Sequence, residues 1–459
     1  MITCAELAAR GDAPALLDDT AGHWLDYRGL AQAVGYAAGR LSELYERPLV
    51  FLFSGVTIAG SIAYLASLEA GAAIGLFGQG LPPGRADALI RLYRPHLVIG
   101  LKPEAGYAPV PGQAEWHRRL ADDAPALHPD LALLLSTSGS TGSPKLVRLS
   151  RTAVASNAAA IVATLAIDPG QRSVLNLPFS YSYGLSVLNS HLAAGASVLL
   201  TRQGLTGDGF WRRLAAERVS SMPGVPMVYE MLRRLGFETV APPSLTTLTQ
   251  AGGKLAPPLV EHFHAATAAR NGRFFVMYGA TEAAPRMAVL PPALLPEKLG
   301  SAGMALPGGR FEIDEPDGEI VYRGPNVMMG YAEAAEDLAL GDRLGGRLAT
   351  GDLGRLDADG VLWITGRSKR IAKVNGLRFN LDEVEALAAA RFAPAAAIAD
   401  GERLTLLVEA GDAQATEIRR AMATALALPP ASLLIRCIAR LPLSENGKID
   451  LDAVRRLVA

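Results

Sequence analysis

The sequence predicts an α/β protein: a large N-terminal domain of doubly wound sheets plus a β-rich subdomain, with a small α+β domain at the C-terminus. Three observations carry this. Helix and strand patterns alternate through the first half of the chain. From about residue 300 the texture changes to short strands joined by Asp-Gly turns. From Arg367 onward helix and strand alternate again, on a smaller scale.

Residues 30–45 have helical periodicity, and "RPLVFLFSG" reads as a buried strand. "SIAYLASLEAGAAIGLF" is a helix then a strand, and "ADALIRLYRPHLVIG" repeats that order. After residue 150 the pattern resumes: helix "RTAVASNAAAIVATL", strand "SVLNLPF", helix "GLSVLNSHLAAG", strand "ASVLL". "GFWRRLAAERV" and "MVYEMLRRLG" continue it. Alternation over such lengths predicts a parallel sheet with helical crossovers. "GRFEIDEPDGEIVYRG" and "GRLDADGVLWITGR" read as hairpins. The last segment carries a helix at "LDEVEALAAARF", a strand at "RLTLLVEAG" and a helix at "TEIRRAMATAL". A domain boundary is expected near Lys369, giving domains 1–368 and 369–459.

At 459 residues the chain exceeds one typical core. Its formal net charge of −1 gives no long-range pull on nucleic acid or anionic membrane. Cys4 and Cys437 stand at opposite ends and form neither a disulfide framework nor a metal cluster. The N-terminus shows no basic region leading into an apolar one, so no signal peptide is expected. The most apolar stretch, residues 58–77, is interrupted by Glu69 and glycines, so no membrane span is expected. The expected setting is a reducing cytoplasm.

Chemistry first shows in "LLLSTSGSTGSPKLVRLS", residues 133–150. An apolar strand breaks into Ser136, Thr137, Ser138, Gly139, Ser140, Thr141 and Gly142, and Lys145 follows. Hydroxyls, glycine backbone and one cation suit a phosphate chain. The spacing matches neither the P-loop nor the dinucleotide fingerprint. Four more stretches join it. "VMYGATEAA" sets Tyr278 and Gly279, fit to stack on a base, before Thr281 and Glu282, whose carboxylate suits Mg²⁺. "LATGDLGRL" presents Asp352, read as a tight-turn residue that could accept ribose hydroxyls. "ITGRSKRIAKVNGLRFNLDEVE" places Arg367 after a strand, and "LPLSENGKIDLDAV" presents Lys448 at a turn tip. Each stretch alone also reads as ordinary structure. Their order does not.

Loop, YGxTE, TGD, GRxxRxxKxxG and NGKID together resemble the adenylate-forming superfamily of acyl-CoA synthetases and adenylation domains, over nearly the whole chain. The resemblance implies a mobile C-terminal lid and two half-reactions. A carboxylic acid is activated by ATP as acyl-AMP with release of pyrophosphate, and a thiol then displaces AMP. It implies that residues 136–142 and Lys145 hold the ATP phosphates. Thr281 would touch the α-phosphate and Glu282 the Mg²⁺. Tyr278 and Gly279 would face adenine, Gly252 and Gly253 would line the nucleotide and acyl pocket, and Asp352 and Arg367 would hold the ribose. Lys448 would act on the transition state, Lys369 would be the hinge, and Gly376 would line the thiol tunnel. The acyl pocket would draw on Tyr181, Tyr183, Gly184, Val225, Pro226 and Ala280, whose small, neutral character points to an uncharged acyl or aryl group.

Departures from the pattern narrow the reading. Leu146 stands where glycine is common, and Ser180 or Tyr181 where many members carry histidine. The aspartate that holds an α-ammonium group is missing from "LPFSYSYGL", which argues against an amino acid. The C-terminal segment is short. The acceptor is CoA or the phosphopantetheine of an acyl carrier protein. The alternatives are an enzyme that loads such a carrier and, from another class, a non-catalytic nucleotide-binding relative.

Overall fold

The computed structural model describes residues 2–136, 145–374, 377–400, 403–426, 428–443 and 449–458. The chain divides into two compact units. Their described parts are residues 2–136, 145–310 and 322–348, and residues 311–321, 349–374, 377–400, 403–426, 428–443 and 449–458.

Among the described residues the first unit holds two large mixed sheets. In the nine-stranded sheet, Pro14–Leu17, Ser197–Leu200, Arg172–Leu175, Ser221–Gly224, Thr247–Gln250 and Arg273–Gly279 lie side by side and parallel. Arg286–Leu290 and Met304–Ala305 add an antiparallel edge. In the eight-stranded sheet, Leu97–Ile99, Leu49–Ser54, Ala73–Gly78 and Leu131–Ser136 form the parallel centre. The strands Leu146–Ser150 and Gly330–Ala332 close one edge antiparallel.

The apolar runs explain this. Leu49 to Phe53 and Leu131 to Leu135 are all buried, as strands covered on both faces must be. The crossover helices are capped where the sequence supplies a short polar group. Asp26, Thr57 and Ser150 accept the backbone N–H of Gly29, Gly60 and Ala153 at the starts of Tyr27–Leu44, Ile58–Glu69 and Arg151–Leu165. The α/β alternation predicted from sequence is borne out. The antiparallel hairpin Tyr107–Val110 and Gln113–Arg119 is an addition to it; its polar face gives no clean alternation.

The second unit holds most of a four-stranded sheet of Arg310–Asp314, Glu319–Arg323, Arg347–Leu356 and Leu362–Arg367. Asp317-Gly318 and Asp359-Gly360 make the connecting turns, with glycine φ of +74° and +76°. Beyond it, Ala395–Asp400, Arg403–Glu409 and Leu433–Ile438 form a three-stranded sheet. The helices Leu381–Arg391 and Ala415–Ala425 cover it through Val384, Ala388, Ile418 and Met422.

Candidate functional site

Four parallel strands of the nine-stranded sheet end at one edge of the first unit. In open α/β sheets, ligands bind beyond the carboxyl ends of the strands. The chain leaving Arg172–Leu175 carries Tyr181, and that leaving Ser221–Gly224 carries Val225 and Pro226. Gly252 and Gly253 follow Thr247–Gln250, and Arg273–Gly279 runs into Ala280, Thr281 and Glu282. Sequence positions far apart are therefore gathered by topology.

Three of the predicted pocket residues touch. Gly252 has φ of +86°, and a Cβ there would lie 2.3 Å from Tyr181 Oη and 3.1 Å from Val225 Cγ1. Glycine is needed both for the backbone and for the tyrosine above it. Gly252→Ala is expected to cost about 1–2 kcal/mol from the left-handed backbone alone, read as a lower urea midpoint, and to displace Tyr181. An unchanged midpoint would show that neither constraint operates.

Tyr183 is fully buried, and its hydroxyl donates to the Thr249 carbonyl at 2.8 Å. Burial pushes that hydroxyl up to about 12, so it stays neutral. Its ring stands edge-on to Tyr181, with centroids 6.2 Å apart. A Cβ on Gly184 would lie 2.5 Å from the Pro178 carbonyl, so only glycine lets the helix Ser182–Ala194 start this close to the chain before it.

The loop after Tyr278 folds back on itself. A Cβ on Gly279 would come within 2.2 Å of the Pro285 carbonyl, which instead accepts the Ala280 N–H at 2.9 Å. The turn Thr281–Ala283 then sets Thr281 Oγ1 3.2 Å from Ser182 Oγ. Glu282 is fixed twice: its carbonyl accepts the Met328 N–H, and its Oε1 accepts the Tyr331 hydroxyl, both at 2.8 Å. Tyr331 lies on Gly330–Ala332, in register with Val147 of the eight-stranded sheet. Lys145 Nζ lies 3.8 Å from the centroid of the Tyr331 ring. Burial, then the Glu282 charge, pushes the Tyr331 hydroxyl up, so it remains a donor. Tyr331 thus ties the end of the phosphate-loop segment to the YGATE segment. Sequence reading missed it; the signal was a lone aromatic in "MMGYAEA".

Ser136 is exposed at the end of Leu131–Ser136. Thr137 to Gly142, Gly376 and Lys448 lie outside the described residues. Lys369 sits in the short turn Ser368–Arg370.

In the second unit Asp352 and Arg367 meet as a register pair, Arg367 Nε 2.9 Å from Asp352 Oδ1. Asp352 is buried while Arg367 is largely exposed. The tight turn expected at Asp352 is corrected. It lies inside the strand Arg347–Leu356, and the positive φ of Gly351 (+72°), which produced the turn signal, is taken up within that strand. The Gly351 N–H donates to Glu319 Oε1 at 2.8 Å.

The AMP-binding enzyme family model matches residues 5–332. This chain belongs to that family. It is similar to the oxalate–CoA ligase of Arabidopsis thaliana, at 32% identity over 57% of this chain and 52% of that protein. It is similar also to the indoleacetate–CoA ligase of Aromatoleum aromaticum, at 32% identity over 57% of this chain and 53% of that protein. The chain thus spans about half the length of these curated relatives. The fold is that of the o-succinylbenzoate CoA synthetase of Bacillus subtilis solved with AMP, with TM-score 0.76, 22% identity and coverage of 98% and 97%. In this AMP-binding enzyme the matched segment takes in Lys145, Ser182, Thr281, Glu282 and Tyr331. Among the described residues no helix is long and apolar enough to cross a membrane.

Proposed function

We propose that this AMP-binding enzyme joins a carboxylic acid to CoA through an acyl-adenylate. The observation that carries the reading is the Lys145–Tyr331–Glu282 arrangement beside Thr281, at the carboxyl ends of parallel strands. A cation and a hydroxyl suit the oxygens of a triphosphate, and a carboxylate held in place suits the cation that accompanies it.

An oxygen of the acid attacks the α-phosphorus of ATP, and the bond to the β-phosphate oxygen breaks. Pyrophosphate leaves with the electron pair. The CoA thiol then gives up its proton to solvent and its sulfur attacks the acyl carbonyl; the bond from the acyl carbon to the AMP phosphate oxygen breaks, and AMP leaves with the electron pair. Charge builds on the departing oxygens in the first step, so donors fixed in advance lower its barrier. Lys145 is held over Tyr331 and Thr281 by Ser182, which keeps both from reorganising during the reaction. Tyr278 and Gly279 are proposed to face adenine, with Gly253, and Asp352 with Arg367 to hold the ribose.

Mg²⁺ fits this donor set. Among the described residues no group of three His, Cys, Asp or Glu side chains forms a protein cage for a metal. Mg²⁺ is commonly held by one or two carboxylates plus substrate phosphates, and the Glu282 carboxylate, oriented by Tyr331, is suited to that role. The ion would neutralise phosphate charge when bound. Cys4 and Cys437 are both free thiols, in keeping with a cytoplasmic setting.

A carboxylate panel in a pyrophosphate-release assay, with and without CoA, tests the reading. The expected result is acid-dependent pyrophosphate, with AMP and a thioester accumulating when CoA is present. Orthophosphate and ADP as products, or no acid dependence, would overturn it.

A further inference from the structure

Three arginines among the described residues are buried: Arg148, Arg286 and Arg370. Two are surrounded by acceptors. The Arg148 guanidinium donates to the carbonyls of Met329, Tyr331, Leu340 and Gly341. Arg370 donates to Asp382, Glu385 and the Ala397 carbonyl. This is how a buried cation is accommodated when its role is structural.

Arg286 is different. It is 2% exposed, and its Nε has no hydrogen-bond partner. No carboxylate of the described residues pairs with it. Its guanidinium carbon lies 4.8 Å from the Tyr183 ring centroid. Burial pulls its pKa down, and the groups that oppose this are the hydroxyls of Tyr183 and Tyr181. The backbone at this position is firmly held. Asn157 bonds both its N–H and its carbonyl, and Asn326 donates to that carbonyl at 3.0 Å. The point in the strand from which the side chain springs is therefore fixed.

The guanidinium borders a small cavity. Arg286 shares a cavity with Tyr183, Thr249, Ser190 and His191, with about 20 Å³ open to the centre of a water molecule. That is room for roughly one water or one carboxylate oxygen. His191 Nε2 also lacks a partner there, and burial lowers its pKa to about 4, so the histidine is neutral. On the other side Tyr183 contacts Tyr181, whose hydroxyl covers Gly252. A lone cation thus stands behind the two tyrosines of the proposed acyl pocket. An apolar side chain of similar volume would fill the place without the cost of an unpaired buried charge.

We propose that the acid this enzyme activates is a short dicarboxylic acid, one carboxylate adenylated and the other paired with the Arg286 guanidinium. This rests on the acid-activating function proposed above. It replaces the uncharged acyl group expected from the small neutral pocket residues, among which Arg286 was not counted. The signal was present in the sequence as one arginine in the apolar run "APRMAVL".

The test compares matched acids, succinate with butyrate and glutarate with valerate, by kcat/KM for pyrophosphate release. Wild type is expected to favour the diacid by about a hundredfold or more, in keeping with a fully desolvated ion pair. Arg286→Met is expected to abolish that preference, chiefly through the KM of the diacid, while the monoacid gains. Arg286→Lys, which keeps the charge, is expected to retain the preference. In the presence of AMP, the diacid should raise the thermal midpoint of wild type but not of Arg286→Met, which should itself melt no lower than wild type. A wild-type preference for monoacids, or equal loss on both acids in Arg286→Met with Arg286→Lys behaving alike, overturns the assignment. If no acid releases pyrophosphate, the functional reading fails, and the diacid thermal shift still decides whether Arg286 binds a carboxylate.

Discussion

Glu282→Gln is expected to lower adenylate formation by on the order of a hundredfold or more and to leave folding intact. The side chains are nearly isosteric, and the amide oxygen can still accept the Tyr331 hydroxyl that Glu282 Oε1 accepts now. The backbone bond from Met328 to the Glu282 carbonyl does not depend on the side chain. What is lost is the negative charge. If that charge holds Mg²⁺ against the ATP phosphates, its loss removes several kcal/mol of charge stabilisation in the transition state. Raising the Mg²⁺ concentration should recover part of the rate in the variant, because the ion still binds the phosphates. The measurement is pyrophosphate release against Mg²⁺ concentration, beside a thermal melt. A variant with wild-type rate at every Mg²⁺ concentration would falsify the role, and Glu282 would then serve only to anchor Tyr331.

Much of this architecture was legible because its signals are local. Buried parallel strands are apolar throughout, and Leu49 to Phe53 and Leu131 to Leu135 announce themselves without any neighbour being known. The Asp-Gly turns at 317–318 and 359–360 follow from the positive φ that glycine permits. The resemblance that the ordered motifs carry likewise places Tyr181, Val225 and Gly252 in one expected pocket, and a Cβ on Gly252 would meet both of the other two.

What was illegible depends on tertiary contact. Nothing near Tyr331 in the chain reveals that its hydroxyl reaches Glu282 or that Lys145 lies over its ring. Asp352 was misread as a turn residue because Gly351 looks the same in sequence inside a strand as it does in a turn. Arg286 carries the sharpest lesson. An arginine in a strand is unremarkable in sequence, and only the acceptors around it, several for Arg148 and Arg370 and none for the Arg286 Nε, set Arg286 apart and motivate its proposed role.

Lys448→Ala is expected to have the largest effect on the first half-reaction and little on the second. The stem around this residue is well anchored. Leu443 and Ile449 form an antiparallel bridge, and the Asp450 N–H donates to the Pro442 carbonyl at 2.9 Å. The Leu441 N–H donates to Glu409 Oε1 at 2.8 Å, and Leu441 packs with Ala396, Leu407 and Val454. None of these anchors is made by Lys448, so the thermal midpoint is expected to hold. The proposed role is to meet the negative charge that the attacking carboxylate and the α-phosphate share only in the transition state. An interaction made only there lowers kcat and kcat/KM together and leaves ground-state ATP binding alone. Losing one preorganised charge of this kind costs about 10²–10³-fold in rate. When the acyl-adenylate is supplied ready-made, thioester formation should run close to the wild-type rate, because carbonyl attack by sulfur does not pass through that phosphorus centre. Pyrophosphate exchange, ATP titration and single-turnover transfer from the isolated adenylate measure the three quantities separately. Exchange near the wild-type rate would remove Lys448 from the chemistry. Loss of exchange with a parallel loss of ATP affinity would recast it as a binding residue, and equal loss in both half-reactions would show that the second unit as a whole, rather than this charge, had been disturbed.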